Sequence, residues 1–222
     1  MASAHVCSVL LMGPPGSGKG TQALRIAEHY RIPHISTGDL LRRAVKSGSE
    51  LGRQVSSTLA SGGLVGDDVM VDLVRGRLAD HDAACGCILD GFPRTVAQAT
   101  ALDQILQGTL LIPILVDVQA AVIAARLASR RVCASCTLTQ SVLPGSGPGE
   151  DDPCAYCGGR LVRRADDGPA IIARRLAAHE ASAKPLIDLY ARRPGFGIVD
   201  GAVAASVVTR ALVAHIDRVR TA

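Results

Sequence analysis

The chain has 222 residues, of which 48% are apolar, with no Trp, two Phe and three Tyr, so its core must be aliphatic and alanine-rich. That length suits one substantial core with small inserted subdomains. A formal net charge of +4 excludes a strongly basic nucleic-acid coat. No apolar run reaches the roughly 20 residues of a membrane span.

Residues 6–12 form a short apolar run that ends in glycines and reads as a buried strand. A helix pattern covers 20–30, with Leu24, Ile26 and Ala27 apolar, and must end near Ile32-Pro33. "HIS" is a brief second strand, and "STGD" offers cap chemistry for a helix carrying Leu40, Leu41, Ala44 and Val45. Ser47-Gly48 stops it. A second short helix with Leu51, Val55 and Leu59 stops at Gly62-Gly63, making a small helical insert.

Asp67 or Asp68 is expected to cap the next helix, which carries Leu73, Val74 and Leu78. "CILD" is an apolar third strand ending in Asp90. Thr95 starts a helix with Val96, Ala99, Leu102 and Leu106 on one side. "IPILVDV" is a fourth strand and 120–129 a helix. A Cys-rich insert, a helix over 169–190, the strand "FGIVD" and a last helix complete the chain. Near-continuous apolar strands alternating with helices predict an α/β fold, a parallel sheet covered on both faces.

"GPPGSGKGT" lies between the first strand and the first helix, the context that a phosphate-binding P-loop requires. Its glycines let backbone N–H groups close on phosphate oxygens, and the helix adds its positive end. Gly16, Ser17, Gly18, Lys19, Gly20 and Thr21 are the candidate donor-phosphate residues. The alternative is a glycine-rich turn before an ordinary helix. The usual hydroxyl after the lysine is replaced by Gly20, and a hydroxyl follows one residue later at Thr21. A Mg²⁺ held mainly by phosphates and water accords with that, with Asp90 as its indirect partner.

Seven cysteines and no secretory signal argue against a disulfide framework. The N-terminus lacks a basic region and a cleavage site, so a cytoplasmic location is expected. Cys133-x-x-Cys136 and Cys154-x-x-Cys157 have the spacing of a zinc ribbon, and Gly158-Gly159 permits the sharp knuckle turn. Four thiolates close a tetrahedral site, so the Zn²⁺ should be structural and pin a segment too small to own a core. Cys7 and Cys87 are expected to be small buried residues in strands. The six histidines are scattered and none is assigned to a metal.

Lys19-Gly20-Thr21 with "ISTGDLLR" and "LDGFPRT" resembles the nucleoside monophosphate kinases, most closely the long-lid bacterial adenylate kinases. The resemblance covers nearly the whole chain. It implies a P-loop kinase core with a five-stranded parallel sheet, a helical AMP-binding insert and a zinc-ribbon-like lid. Its divisions are 1–35 core, 36–65 AMP-binding insert, 66–126 core, 127–167 lid and 168–222 core. It implies ATP and AMP as substrates, ADP as product, Mg²⁺ with the ATP, and a monomer that binds neither nucleic acid nor membrane. Arg42, Gly91 and Arg94 would hold AMP near its phosphate. Arg130, Arg164 and Arg175 would surround the transferring group, the last two also on the AMP side, and Arg126 would lie on the donor nucleotide. Thr37 and Gln98 would read the AMP base, with Leu64 and Val65 lining its pocket. Gln98 has a rival use: "TVAQ" is a capping box in which it would bond back to the Thr95 backbone.

Two departures from the family pattern stand out. "ADDGPAII" keeps Asp166 and Asp167 but has Ala170 and Ile171 where the family has Glu-Thr. "TLTQSVLPGSGPGEDDP", between the knuckles, has no aromatic, His, Lys or Arg, which predicts weaker donor contacts and a more mobile lid. Alternative functions are a kinase for another monophosphate, or one using GTP, and a zinc-containing P-loop ATPase that binds nucleic acid. The last would need a basic, aromatic platform that the lid does not offer. A scaffold that binds nucleotide without reacting would leave the matching arginines unexplained.

Overall fold

The computed structural model describes residues 7–136, 138–141, 153–164 and 167–222. Val6, Asp166 and most of the stretch between the two cysteine pairs lie outside them. In chain order the first half contains β1 (Cys7–Met12), α1 (Lys19–Tyr30), β2 (His34–Ser36), α2 (Thr37–Ser47), α3 (Glu50–Ser61), α4 (Asp67–Leu78), β3 (Ile88–Asp90) and α5 (Val96–Ile105). The second half contains β4 (Leu110–Asp117), α6 (Ala120–Ala128), β5 (Arg130–Cys133), β6 (Thr139–Ser141), β7 (Leu161–Val162), α7 (Pro169–Ala191), β8 (Gly197–Asp200) and α8 (Ala205–Arg220).

Five strands form one sheet in the order β2-β3-β1-β4-β8, and every neighbouring pair is parallel. Alternation along β1 divides the core. Leu10 and Met12 join Leu89, Phe92, Leu102 and Tyr190 on one face. Val9 and Leu11 join Ile26, Ile112, Ile114 and Leu212 on the other. Both faces are apolar because helices cover both, as a parallel sheet demands. Chain order reverses at β1, between β3 and β4, and in open α/β sheets the crevice beyond the strand ends at such a point binds ligands.

Caps set the helix limits. Ser36 Oγ accepts from Asp39 N at 3.3 Å, Ser49 Oγ from Gly52 N at 3.2 Å and Thr95 Oγ1 from Gln98 N at 3.1 Å. α2 and α3 pack closely because α3 carries Gly52 at the crossing. A Cβ there would stand 2.1 Å from the Ala44 carbonyl oxygen.

Three sequence expectations change. Neither Asp67 nor Asp68 caps α4: the N-cap is Gly66, without a side-chain cap, and both aspartates lie in the first turn. Val96 is 43% exposed and does not share the buried side of α5; at the first position of the helix it lies before the turn that meets the core. Cys87 is buried but falls one residue before β3, and its backbone N–H donates to Ser8 Oγ. Cys7 lies in β1 as expected.

β5 pairs antiparallel with β6 and β7 in a separate three-stranded sheet. Among the described residues its core is Cys133, Cys154 and Leu161, with Cys136 packed against them. Among the described residues no helix is long and apolar enough to cross a membrane.

Candidate active site

The loop between β1 and α1 is shaped by left-handed glycines. Gly13 has φ 135°, and a Cβ on it would stand 2.5 Å from the Val116 carbonyl oxygen. Gly16 has φ 85° and packs onto Leu127 of α6, where a Cβ would stand 2.8 Å away. Larger residues would therefore both strain the backbone and push the loop off its support. Gly18, at φ 96°, is the N-cap of α1. Lys19 folds back over this loop, its Nζ donating to the carbonyls of Gly13 at 2.6 Å and Pro14 at 2.8 Å and to Ser17 Oγ at 3.2 Å.

Burial pushes the Lys19 amine down to about 8, against the pull of Asp90 and with the added push of Arg94, Arg175 and Arg130. Asp90 ends β3 beside it. Burial works to raise the Asp90 pKa, but His34, Lys19 and Arg94 outweigh it and hold the carboxyl below its ordinary value. His34 Nε2 stands 3.5 Å from Asp90 Oδ2, an ion-pair distance without hydrogen-bond geometry. A Cβ on Gly20 would lie 3.4 Å from that same oxygen. Asp90 thus stays ionised where a cation would approach over Gly20 and Thr21.

A cleft of about 970 Å³ opens over the sheet, and every residue that the resemblance implicates in nucleotide binding lines it. Arg94 is fixed by its Nε donating to Gly91 O at 2.8 Å. A Cβ on Gly91 would stand 2.9 Å from Thr37 Oγ1 and 3.2 Å from Arg94 Nη2, so this glycine keeps the approach open. Burial, with Arg175 and Arg42 nearby and Asp90 opposing, lowers the Arg94 pKa; several like charges are held together here. Arg126, from α6, reaches the P-loop, donating to Ser17 O at 3.2 Å and Ala202 O at 3.4 Å. Arg130 pairs through Nε and Nη2 with both oxygens of Asp167. Arg175 Nη1 donates to Asp167 Oδ1 at 3.1 Å. Arg164 Nη2 donates to Thr139 Oγ1 at 2.6 Å, and Arg42 Nη2 to Asp39 Oδ1 at 2.6 Å.

On the side of the helical insert, Thr37 is buried and its hydroxyl donates to Gly91 O at 2.9 Å. Leu64 and Val65 form the wall after α3. Gln98 does not use its side chain as the rival capping-box reading would have it. Its Oε1 accepts from Arg94 N, not Thr95 N, at 2.8 Å, and its Nε2 donates to Asp67 Oδ1 at 2.7 Å.

Four residues at or behind the cleft escaped the sequence reading as site residues. Asp67 and Asp167 act through partners 31 and 37 residues away, beyond any local pattern. His179 faces the cleft from α7, one turn beyond Arg175. Burial, with Lys19 and Arg94 adding, pushes its imidazole down to about 4, so it stays neutral. Tyr156, in the second knuckle, is 77% exposed and lines the cleft. The segment between the knuckles lacks an aromatic, but the knuckle itself supplies one. Ile171, the other departure, packs against Gly62 at the end of α3, and Ile172 joins the cluster of Val116 and Leu127.

The four Sγ atoms of Cys133, Cys136, Cys154 and Cys157 lie within 4.8 Å of one another. Cys133 and Cys157 sulfurs are 3.5 Å apart and those of Cys136 and Cys154 3.7 Å. A tetrahedron with Zn–S of ~2.3 Å has edges of about 3.8 Å, so the donor set fits the ion. The Cys136 backbone N–H, donating to Cys133 Sγ, is the first of the contacts that hold that thiol below its usual pKa.

A family model described as adenylate kinase matches residues 11–194. The chain is 42% identical over 213 residues to an adenylate kinase of Kosmotoga olearia, covering 95% of this chain and 99% of that one. It is 45% identical over 197 residues to an adenylate kinase of Lysinibacillus sphaericus, covering 87% and 90%. For an adenylate kinase of Bacillus thuringiensis the identity is 44% over 186 residues, covering 82% and 86%.

Proposed function

The chain belongs to the adenylate kinase family, and from that premise we propose that it moves a phosphoryl group reversibly between ATP and AMP, giving two ADP. The observation that carries this reading is the single cleft in which the P-loop lysine meets Arg94, Arg130, Arg164 and Arg175. Two polyanions approach each other there, and fixed cations offset the repulsion. The reaction breaks the bond from the γ-phosphorus to its bridging oxygen and forms a bond from an AMP phosphate oxygen to the same phosphorus. No redox partner is involved and no strong base is needed. Positioning and charge stabilisation supply the catalysis.

In this reading the P-loop from Gly16 to Thr21 and Arg126 hold ATP, and Lys19 leaves the loop carbonyls for the phosphates. Arg42 and Arg94 hold the AMP phosphate, with Arg164 and Arg175 completing the acceptor side. Arg130 and Arg175 stabilise the charge in flight. Thr37, Leu64, Val65, Gly91 and Gln98 form the AMP pocket. Mg²⁺ would offset the charge of the ATP phosphates, and Asp90, kept ionised, is the residue that would hold it indirectly. Zn²⁺ in the four-cysteine site would be structural. Residues 36–65 and 127–167 act as the acceptor insert and the lid on the core 1–35, 66–126 and 168–222. Closure of both excludes water, so that the phosphoryl group reaches AMP instead of being hydrolysed. A cytoplasmic monomer completes the reading.

The test is ADP formation from ATP with Mg²⁺ and each of AMP, CMP, UMP and GMP. AMP should dominate. Preference for another acceptor would keep the mechanism and overturn the base assignment. Turnover with none, in folded zinc-loaded protein, would overturn the kinase reading.

A further inference from the structure

Asp67 stands behind Gln98, outside the residues that line the cleft. It sits in the first turn of α4, and its carboxylate joins two elements. Its Oδ1 accepts from Gln98 Nε2 at 2.7 Å, and its Oδ2 accepts from Thr95 Oγ1 at 3.0 Å. Thr95 in turn caps α5, the helix that carries Gln98.

A glutamine amide has two N–H donors and two carbonyl lone pairs. One donor of Gln98 goes to Asp67 and one lone pair accepts the Arg94 N–H. A reversed amide would set N–H against N–H at Arg94 and carbonyl oxygen against carboxylate at Asp67. The two contacts therefore select the same orientation independently. One N–H and one lone pair remain for a ligand, with their order along the amide edge fixed. Gln98 is 3% exposed yet lines the cleft, so little water competes for them.

We infer that Asp67 is a specificity-positioning residue: it locks the Gln98 amide so that the cleft accepts 6-amino and 4-amino bases and rejects their oxo counterparts. Adenine and cytosine each present an amino donor beside a ring-nitrogen acceptor. Guanine and uracil present the reverse, a carbonyl oxygen beside a ring N–H. A freely rotating amide would serve either order by flipping, whereas a locked one serves only one, which AMP as the acceptor makes the first. Pocket size then separates adenine from cytosine. The inference rests on Gln98 as the base reader and names the residue that sets its orientation.

The experiment compares kcat/KM for AMP, CMP, GMP and UMP, with ATP and Mg²⁺, in the unaltered protein, Asp67→Asn and Gln98→Met. Asparagine keeps the shape but can donate as well as accept, so it permits both amide orientations. The Arg94 N–H still favours one of them, so the change should be partial. The AMP-to-GMP ratio should fall about tenfold in Asp67→Asn, carried by KM. The CMP-to-UMP ratio should fall in parallel. An equal loss for all four acceptors would make Asp67 merely structural and overturn the lock. Acceptor order unchanged in Gln98→Met would instead sink Gln98 as base reader, whatever Asp67 does. Should Asp67→Asn not fold, the side-chain amide of Gln98 can be read by ¹⁵N NMR in the unaltered chain. One of its protons should resonate well downfield of free glutamine. Both at free-glutamine positions would overturn the lock equally.

Discussion

Asp167 receives Arg130 on both of its carboxylate oxygens, and one of the two also accepts from Arg175. The Asp167 side chain is only 2% exposed. Without it, two guanidinium groups from β5 and α7 would repel across the cleft. Asp167→Asn should lower kcat by roughly tenfold to a hundredfold with a smaller change in the KM for ATP, because both arginines keep their charge but lose the carboxylate that places them. Steady-state kinetics check this. An unchanged kcat would show that the arginines find their positions unaided.

Lys19 gives a pH dependence. With its amine at about 8 in the free protein, kcat/KM for ATP should fall as pH rises through that value. kcat should hold to higher pH, because bound phosphates raise the amine again. The linkage to stability has the opposite sign. Between about 8 and the ordinary lysine value of 10.5 the unfolded chain holds a proton that the folded chain lacks. This group therefore makes stability rise with pH. A pH–rate profile run beside thermal melts separates the two. Activity lost only where the melt collapses would remove Lys19 as the cause.

Metal analysis of denatured protein should find about one zinc ion per chain. Among the described residues the core beside the four cysteines is Cys133, Cys154 and Leu161, too small to persist alone. Chelation should therefore lower activity by roughly tenfold to a hundredfold through misplaced Arg130 and Arg164. The parallel sheet, with its own two apolar faces, should keep its unfolding transition. Calorimetry with and without chelator reads this. Loss of the whole transition would mean that the metal holds more than the lid.

Tyr156 should contact the donor base. Stacking a base on an aromatic ring contributes about 1–3 kcal/mol. Tyr156→Ala should then raise the KM for ATP about tenfold and leave kcat nearly intact. An unchanged KM would return the donor base to Arg126 alone.

The sheet and the P-loop were legible because their signals are local: apolar runs, glycines at fixed offsets and a strand and helix on either side. The cap at Ser36 was legible for the same reason. Asp67 looked like a cap because an acid before a helix usually is one. Its carboxylate instead serves Gln98 and Thr95, about thirty residues on, and only the fold brings them together. Gln98→Glu would be a natural sequence-based test of base reading. Beside Asp67, however, it would place two carboxylates in contact, which is why Gln98→Met is preferred. Asp167 was visible as half of an acidic pair, but nothing in sequence shows that it gathers arginines from two elements. Tyr156 carries no signal of its own in the sequence, because only the fold of the second knuckle brings it to the cleft.

The chain has only three lysines, Lys19, Lys46 and Lys184, and one of them holds its amine at about 8. An ordinary lysine is almost wholly protonated at that pH and reacts slowly with electrophiles. In the free protein this amine is therefore more often deprotonated, and more nucleophilic, near pH 8 than an ordinary lysine. A nucleotide bearing an amine-selective group on its phosphate tail would be guided to it by the P-loop. It should tag Lys19 in preference to the other two, leaving a single labelled peptide by which occupancy of the donor site can be counted.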